Sequence, residues 1–247
     1  MLAQGKKAGL NRIKRLRRLL VAAVVFVLHG IRCTHKKKFR ATTDSKHSLP
    51  IAENVLNRQF AQTAPNHVWV ADITYIPTDE GWLFLAAIKD LYTCEIVALG
   101  HPLGQPLGWA MDRQMTKKLV TDALRAAYWR KKPPLHHSDR DSQYCSGTYR
   151  ALQVSYKMKT SMALALGHPV SRKGDCWDNA PMESFFGTLK TECLHHFKIK
   201  TRDQAKQVVF EYIEVFYNRI RRHATIQNQV PADYAQRFFK NESQIAA

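Results

Sequence analysis

Three acidic residues occupy positions where an acid is expensive or conspicuous. Asp72 lies inside the apolar run Trp69-Val70-Ala71-Asp72-Ile73, and a charge in a strand interior is costly unless it is paired or bound to a metal. Asp139 follows the short run Leu135-His136-His137-Ser138, at the C-terminal end of a predicted strand, where open α/β sheets place their sites. By itself it reads as an ordinary turn residue. Glu183 falls in the first turn of a predicted helix, where a lone acid does no more than complement the helix dipole. As a set, three carboxylates on separate rigid elements are oxygen donors for a hard cation such as Mg2+. Phosphodiester chemistry commonly uses two such cations about 3.5 to 4 Å apart, one beside the attacking oxygen and one beside the leaving oxygen.

The elements that must carry these acids are legible from periodicity. Val68, Val70, Ile73 and Tyr75 define a β-rich run ending near Pro77, Asp79-Glu80-Gly81 reads as a hairpin turn, and Trp82 to Ile88 resumes as a second strand. Cys94 to Leu99 predicts a third strand. Thr116 is placed to cap a helix with Leu119, Val120, Ala123, Leu124 and Ala127 on one face, ending before Pro133. Leu135 to Ser138 predicts a fourth strand, residues 146 to 154 a weak helix, and Tyr156 to Met162 a fifth strand. Met182, Phe185, Phe186, Leu189 and Cys193 recur at helical spacing after Asp178 and Asn179, either of which is a suitable cap. A second C-terminal helix opens on Thr201 with Gln204, a capping box, and its stripe of Ala205, Val208, Val209, Tyr212, Ile213, Phe216 and Tyr217 reads as core. The expected order is β-β-β-α-β-α-β-α, an α/β fold in which helices flank a mixed sheet.

Charge points to the partner. The 247 residues carry 38 Lys and Arg against 20 Asp and Glu, a net +18 that calls for a polyanion. Residues 1 to 50 hold thirteen of those cations and one acid, Asp44. The segment reads as a basic helical DNA-binding arm and linker over 1–64, ahead of a catalytic domain over 65–240 that ends in helices; Arg12, Lys14, Arg15, Arg17, Arg18, Lys36, Lys37 and Lys38 are its candidate phosphate contacts. The apolar run Leu19 to Leu28 is too short to span a bilayer, and the basic flank Lys36-Lys37-Lys38 argues against a signal peptide. No membrane partner is expected. The five cysteines show no CxxC pair and no finger spacing, which fits a reducing cytoplasm, buried thiols and no zinc site.

Three blocks carry a resemblance. Trp69-Val70-Ala71-Asp72-Ile73-Thr74-Tyr75-Ile76, His136-His137-Ser138-Asp139-Arg140, and the run from Ser171 through Asp175-Cys176-Trp177-Asp178-Asn179-Ala180-Pro181-Met182-Glu183 to Phe186 resemble the catalytic blocks of bacterial insertion-sequence transposases, most closely the second-frame protein of insertion sequence family three, which has a retroviral-integrase-like core. The match runs from about Lys7 to Phe238 and includes Thr78-Asp79-Glu80-Gly81-Trp82 and Phe216-Tyr217-Asn218-Arg219. The resemblance implies a ribonuclease-H-like fold and makes Asp72, Asp139 and Glu183 the catalytic ligands of two Mg2+ or Mn2+ ions. It implies cleavage and strand transfer of insertion-element ends on target DNA, with water and then a 3′-hydroxyl attacking in line at phosphorus. It also implies homo-oligomers, action in the bacterial nucleoid, and an upstream first-frame helix-turn-helix protein as partner.

The chain departs from that pattern. Between Asp139 and Glu183 lie 43 residues, more than the family spacing, with the surplus at Ala163 to Val170; further insertions fall near Ala98 to Leu107 and Leu19 to Leu28. Asp141 stands where the family generally has Gly, and it offers an alternative carboxylate beside Asp139. Lys190, seven residues after Glu183 and so on the same helix face, is placed to reach a phosphate, as are Arg172 and Lys173 just upstream. Trp177 is a candidate for stacking on a base, and His136 and His137 for orienting Asp139. Two other functions stay open at this point: a catalytically inactive DNA-binding transposase remnant, and a nuclease that cuts without joining.

Overall fold

The computed structural model describes residues 47–97, 108–128, 133–163 and 177–245, all within one compact unit, Ala41–Ala247. The basic arm with its eight candidate contacts, the apolar run 19–28, most of both later insertions, and Arg172 and Lys173 lie outside the described residues. Residues 47–64, read above as linker, run along the unit. Leu56 is 2% exposed, and the Val55 and Leu56 N–H groups donate to Ser161 Oγ at 3.0 and 3.1 Å.

Val68–Thr78 forms β1 and Gly81–Asp90 forms β2, antiparallel from Trp69↔Asp90 to Thr78↔Gly81. The two-residue turn works because Gly81 sits at φ 105°, a region where a side chain is strained. β4 (Leu135–Ser138) and β5 (Lys159–Met162) add in parallel on the other side of β1. The sheet order is β3-β2-β1-β4-β5. β4 pairs with β1 over Val68 to Ala71 alone, so from Asp72 onward the β1 ladder is made with β2.

The third strand differs from expectation. β3 is Trp109–Asp112, while the predicted strand at Cys94 begins with a left-handed residue, Cys94 at φ 60°, and contributes a single bridge, Lys89↔Ile96. The chain on either side of the 98–107 insertion meets one residue of β2. Val97 N–H donates to the Ile88 carbonyl at 2.8 Å, and Ile88 N–H donates to the Gly108 carbonyl at 3.1 Å. The two backbones approach so closely that a side chain at Gly108 would collide with the Val97 carbonyl.

Helices cover both faces of the sheet. On one, α1 (Lys117–Tyr128) and α3 (Gly147–Ser155), joined through the short α2 (Ser142–Cys145), pack Leu119, Leu124 and Tyr149 against Trp69, Ile73 and Ile88. On the other, α4 (Ala180–Thr188) and α5 (Arg202–Phe210) pack Phe185 and Val209 against Val70, Ile76 and Leu85. Each fully buried side chain of this size contributes roughly 1.5–3 kcal/mol. α4 runs on through a π-helical turn, Leu189–Cys193, and α5 through another, Glu211–Tyr217; α6 (Pro231–Ile245) closes the described chain. The second π turn changes the predicted stripe: Tyr217 is buried, but Phe216 is 38% exposed. A turn of wider period rotates later side chains off a face counted at 3.6 residues. The capping box is half formed, because Thr201 Oγ1 accepts from Gln204 N–H at 3.1 Å while Gln204 Oε1 accepts from Lys200 N–H at 2.8 Å.

Candidate active site

Asp72 stands at the first position of β1 beyond its pairing with β4, and Asp139 is the first residue after β4. Asp72, inside β1 where its pairing with β4 stops, and Asp139, just past the end of β4, are therefore carried on adjacent parallel strands. Glu183 is in the first turn of α4, which packs on β1. Asp72 and Asp139 are electrostatic neighbours, and Asp72 also feels the charges of Asp141 and Glu183. Burial raises the Asp72 carboxyl to about 7; the Ile73 N–H, donating to Oδ1 at 2.7 Å, opposes this, while the charges of Asp141 and Glu183 add to it. Asp139 is likewise held well above the usual carboxylate range, by burial first and then by Asp72 and Asp141.

Asp141, the departure from the family pattern, is 3% exposed and belongs to this cluster. Its backbone N–H donates to Asp139 Oδ1 at 3.1 Å. Glu183 itself is exposed. Among the described residues no three His, Cys, Asp or Glu side chains form a ready-made metal cluster. The donor chemistry nonetheless fits a hard divalent cation, since every candidate ligand is a carboxylate oxygen. The raised Asp72 and Asp139 carboxyls mark a place short of positive charge, which a cation would relieve.

Lys190 is the described cation beside the acids. Burial lowers its ammonium, and the charge of Asp72 works in the opposite direction; its Nζ lies 4.6 Å from the Tyr75 ring centroid. The helix that carries both Glu183 and Lys190 is pinned at its start by contacts that periodicity did not flag. Asn179 Nδ2 donates to the carbonyl of Ala71, the neighbour of Asp72, at 3.0 Å. The buried Lys89 Nζ donates to the Pro181 carbonyl at 3.4 Å. Asp178, 4% exposed, accepts from Arg58 Nε at 2.7 Å and from Asn54 Nδ2 at 3.1 Å. Of the two caps read above, Asn179 occupies the cap position without a side-chain cap bond. The usable signal was an Asp-Asn pair just before the helix that carries the glutamate, with no way to tell a cap from a tether.

The two histidines do not orient Asp139. Gln153 Nε2 donates to His136 Nδ1 and His136 Nε2 contacts Tyr149 Oη, both at 3.1 Å, while Thr160 Oγ1 donates to Gln153 Oε1 at 2.9 Å. His137 Nδ1 meets Ser161 Oγ at 2.8 Å. Burial lowers His136 to about 3 and His137 to about 4, so both are neutral. They form a buried layer beneath the site, in which both ring nitrogens of His136 and the Nδ1 of His137 have partners while His137 Nε2 has none. The side chain of Trp177 lies outside what is described.

The mixed five-stranded sheet, with Asp72 inside its central strand and Asp139 just past the end of the adjacent parallel strand, is the arrangement of an integrase-type core. The integrase core domain family matches residues 62–165, and a second family of the same description matches 183–239. The fold is also that of a chain from the simian T-cell lymphotropic virus intasome in complex with PP2A regulatory subunit B56 gamma, at TM-score 0.53 and 15% identity over 78% of this chain and 60% of that one. The HTLV-2 integrase catalytic core domain in complex with magnesium, trimeric form, matches at TM-score 0.50 and 14% identity over 71% of this chain and 99% of that one. In sequence the chain is 50% identical to the Insertion element IS600 uncharacterized 31 kDa protein of Shigella sonnei, across 93% of this chain and 76% of that protein. It is 41% identical to the transposase InsF for insertion sequence IS3A of Escherichia coli K12, across 79% of this chain and 62% of that protein. The chain belongs to the IS3 family of insertion-sequence transposases. The fold expectation of a ribonuclease-H-like mixed sheet holds.

Proposed function

We propose that the chain is a DNA transposase that cleaves the ends of its element and transfers them to target DNA, using Asp72, Asp139 and Glu183. The observation that carries this reading is the placement of Asp72 where β1 leaves its pairing with β4 and of Asp139 just after β4, with Glu183 in the first turn of the helix packed on β1. The three acids offer oxygen ligands to two Mg2+ or Mn2+ ions, which when bound would supply Lewis-acid polarisation and charge neutralisation at phosphorus. Magnesium in the HTLV-2 core structure supports that choice of ion. Lys190 pairs with a phosphate oxygen of the strand being cut, and the tethers at Asn179 and Asp178 keep Glu183 over β1. Arg12, Lys14, Arg15, Arg17, Arg18, Lys36, Lys37 and Lys38 in the arm, with Arg172 and Lys173, hold the phosphate backbone of terminal repeats and target. The family's transposase names and the intasome of the structural relative support DNA and further copies of the chain as partners.

Purified full-length protein incubated with Mn2+ and a duplex carrying the element's terminal repeat should nick and join strands. Asp72→Asn, Asp139→Asn and Glu183→Gln should each abolish both; wild-type rates in all three variants would reject the assignment.

A second reading, a DNA-binding remnant without catalysis, is favoured by Glu183 standing exposed outside any ready-made cluster. Salt-sensitive DNA binding with no cleavage at any Mn2+ concentration would establish it.

A further inference from the structure

From the carboxylates a line of side chains in contact leads to the surface. Lys190, within reach of the Asp72 charge, rests 4.6 Å from the Tyr75 ring centroid. Tyr75 in turn meets Trp82 with ring centroids 5.0 Å apart and planes at 90°. Trp82 is 52% exposed, although Leu83 and Leu85 on the same strand are essentially buried. An indole left half in water on an ordered strand is unusual enough to ask what covers it.

Its mounting is rigid. The turn before it is clamped by Arg202, whose Nε donates to the Trp82 carbonyl at 3.2 Å, whose guanidinium donates to the Glu80 carbonyl at 2.6 Å, and whose backbone N–H donates to Glu80 Oε2 at 2.9 Å. The Glu80 carboxylate is thereby turned toward Arg202, at 4.0 Å from its guanidinium, rather than left to repel an anion. A preorganised aromatic surface binds a flat partner with little ordering cost.

We propose that Trp82, braced by Tyr75 and the Arg202 clamp, is a stacking surface for an unpaired base of DNA whose adjoining phosphate is held by Lys190. The partner is nucleic acid rather than protein because the indole packs on Tyr75, which a cation beside the carboxylate site covers in turn, and because the chain carries a net +18. Alternation of a cation with exposed aromatics is how single strands are gripped without reading their sequence. The inference rests on the transposase reading and adds to it a requirement for frayed or overhanging strands.

The test compares two labelled DNAs with full-length protein and no divalent metal, so that binding is read apart from chemistry: a blunt duplex and the same duplex with a short single-stranded 3′ overhang containing 2-aminopurine. Wild-type protein is expected to prefer the overhang and to shift 2-aminopurine fluorescence. Trp82→Leu should weaken overhang binding about tenfold, the scale of one lost base stack, with blunt-duplex binding and the salt slope unchanged. Trp82→Phe, which keeps a ring, should restore most of the preference, and thermal melts of each variant check folding.

Equal overhang affinity for Trp82→Leu and wild type would overturn the inference. So would equal loss on both DNAs, or a Trp82→Leu chain that changes only its oligomeric state, which would make the indole a contact between copies. Asp72→Asn separates the two proposals. It should keep the overhang preference while losing Mn2+-dependent cleavage, so loss of cleavage in Asp72→Asn with no effect of Trp82→Leu would remove this inference and leave the transposase reading standing.

Discussion

Two polar clusters meet at strand β4 of this fold, and they behave in opposite ways. Beneath, His136 and His137 are fully buried, but both ring nitrogens of His136 and the Nδ1 of His137 have hydrogen-bond contacts, with Tyr149, Gln153 and Ser161. Inside β1 and just past β4, the Asp72 and Asp139 carboxyls are held above the usual range, by burial first and then by neighbouring acids. A satisfied polar network stabilises and specifies a core. A cluster of like charges costs stability until something of opposite charge arrives. The difference separates scaffold from site, and exposure follows it: the histidines are withdrawn from water, whereas Asp72 and Asp139 are half-buried and Glu183 is exposed.

Substitution should break the two in opposite senses. The largest effect is expected from Asp72→Asn or Asp139→Asn. Cleavage falls by at least about 10³-fold, corresponding to several kcal/mol of lost transition-state stabilisation, while the melting temperature of metal-free protein holds or rises. A fall in melting temperature together with activity would erase the contrast. His136→Phe should do the reverse. It strands Tyr149 and Gln153 and lowers stability by about 2–3 kcal/mol in a urea melt, with cleavage per folded molecule retained.

The pH dependence sharpens the comparison, because the signs differ. Asp72, with its folded carboxyl near 7 against an ordinary 3.8, contributes most when protonated; that contribution is full below about 4 and is lost as pH rises toward 7. His136 and His137, lowered to about 3 and about 4 from 6.5, contribute fully above 6.5 and lose that contribution as pH falls toward 4. Melts in chelator from pH 4 to 8 should therefore show the advantage of Asp72→Asn over wild type growing with pH, while the deficit of His136→Phe shrinks as pH falls. Parallel curves for all three proteins would contradict the assignment of charge states. The smallest effect is expected from Asn179→Ala. It removes one buried hydrogen bond, costs about 1 kcal/mol of stability, and slows cleavage about tenfold by loosening Glu183; unchanged cleavage would make Asn179 a packing residue.

Much of this was readable from the chain. Strand β1 and its hairpin follow from alternation and the Asp79-Glu80-Gly81 turn, while the acids stood out through a charge inside an apolar run at Asp72 and through the resemblance carried by the three blocks that hold them. What stayed hidden has local physical causes. Cys94 adopts a left-handed conformation that no composition rule announces in a non-glycine residue, so the third strand was placed too early. The π turn at Glu211–Tyr217 changes the helical period without a sequence marker, which moved Phe216 to the surface. Asn179 looked like a cap because caps and tethers use the same amide, and only the arrival of the Ala71 carbonyl decides between them. The neutral histidines were undecidable for a similar reason, since their partners lie on α3 and β5.

The convergence of Val97 and Gly108 on Ile88 has a practical consequence. Chain that leaves and re-enters the sheet at one point can change its length with little strain on the strands, because closing a longer loop adds only a slowly growing entropy. The 98–107 position is thus a natural port. An epitope tag or small reporter domain grafted there should ride on the folded core, remote in sequence from all three acids, and allow the protein to be followed on DNA.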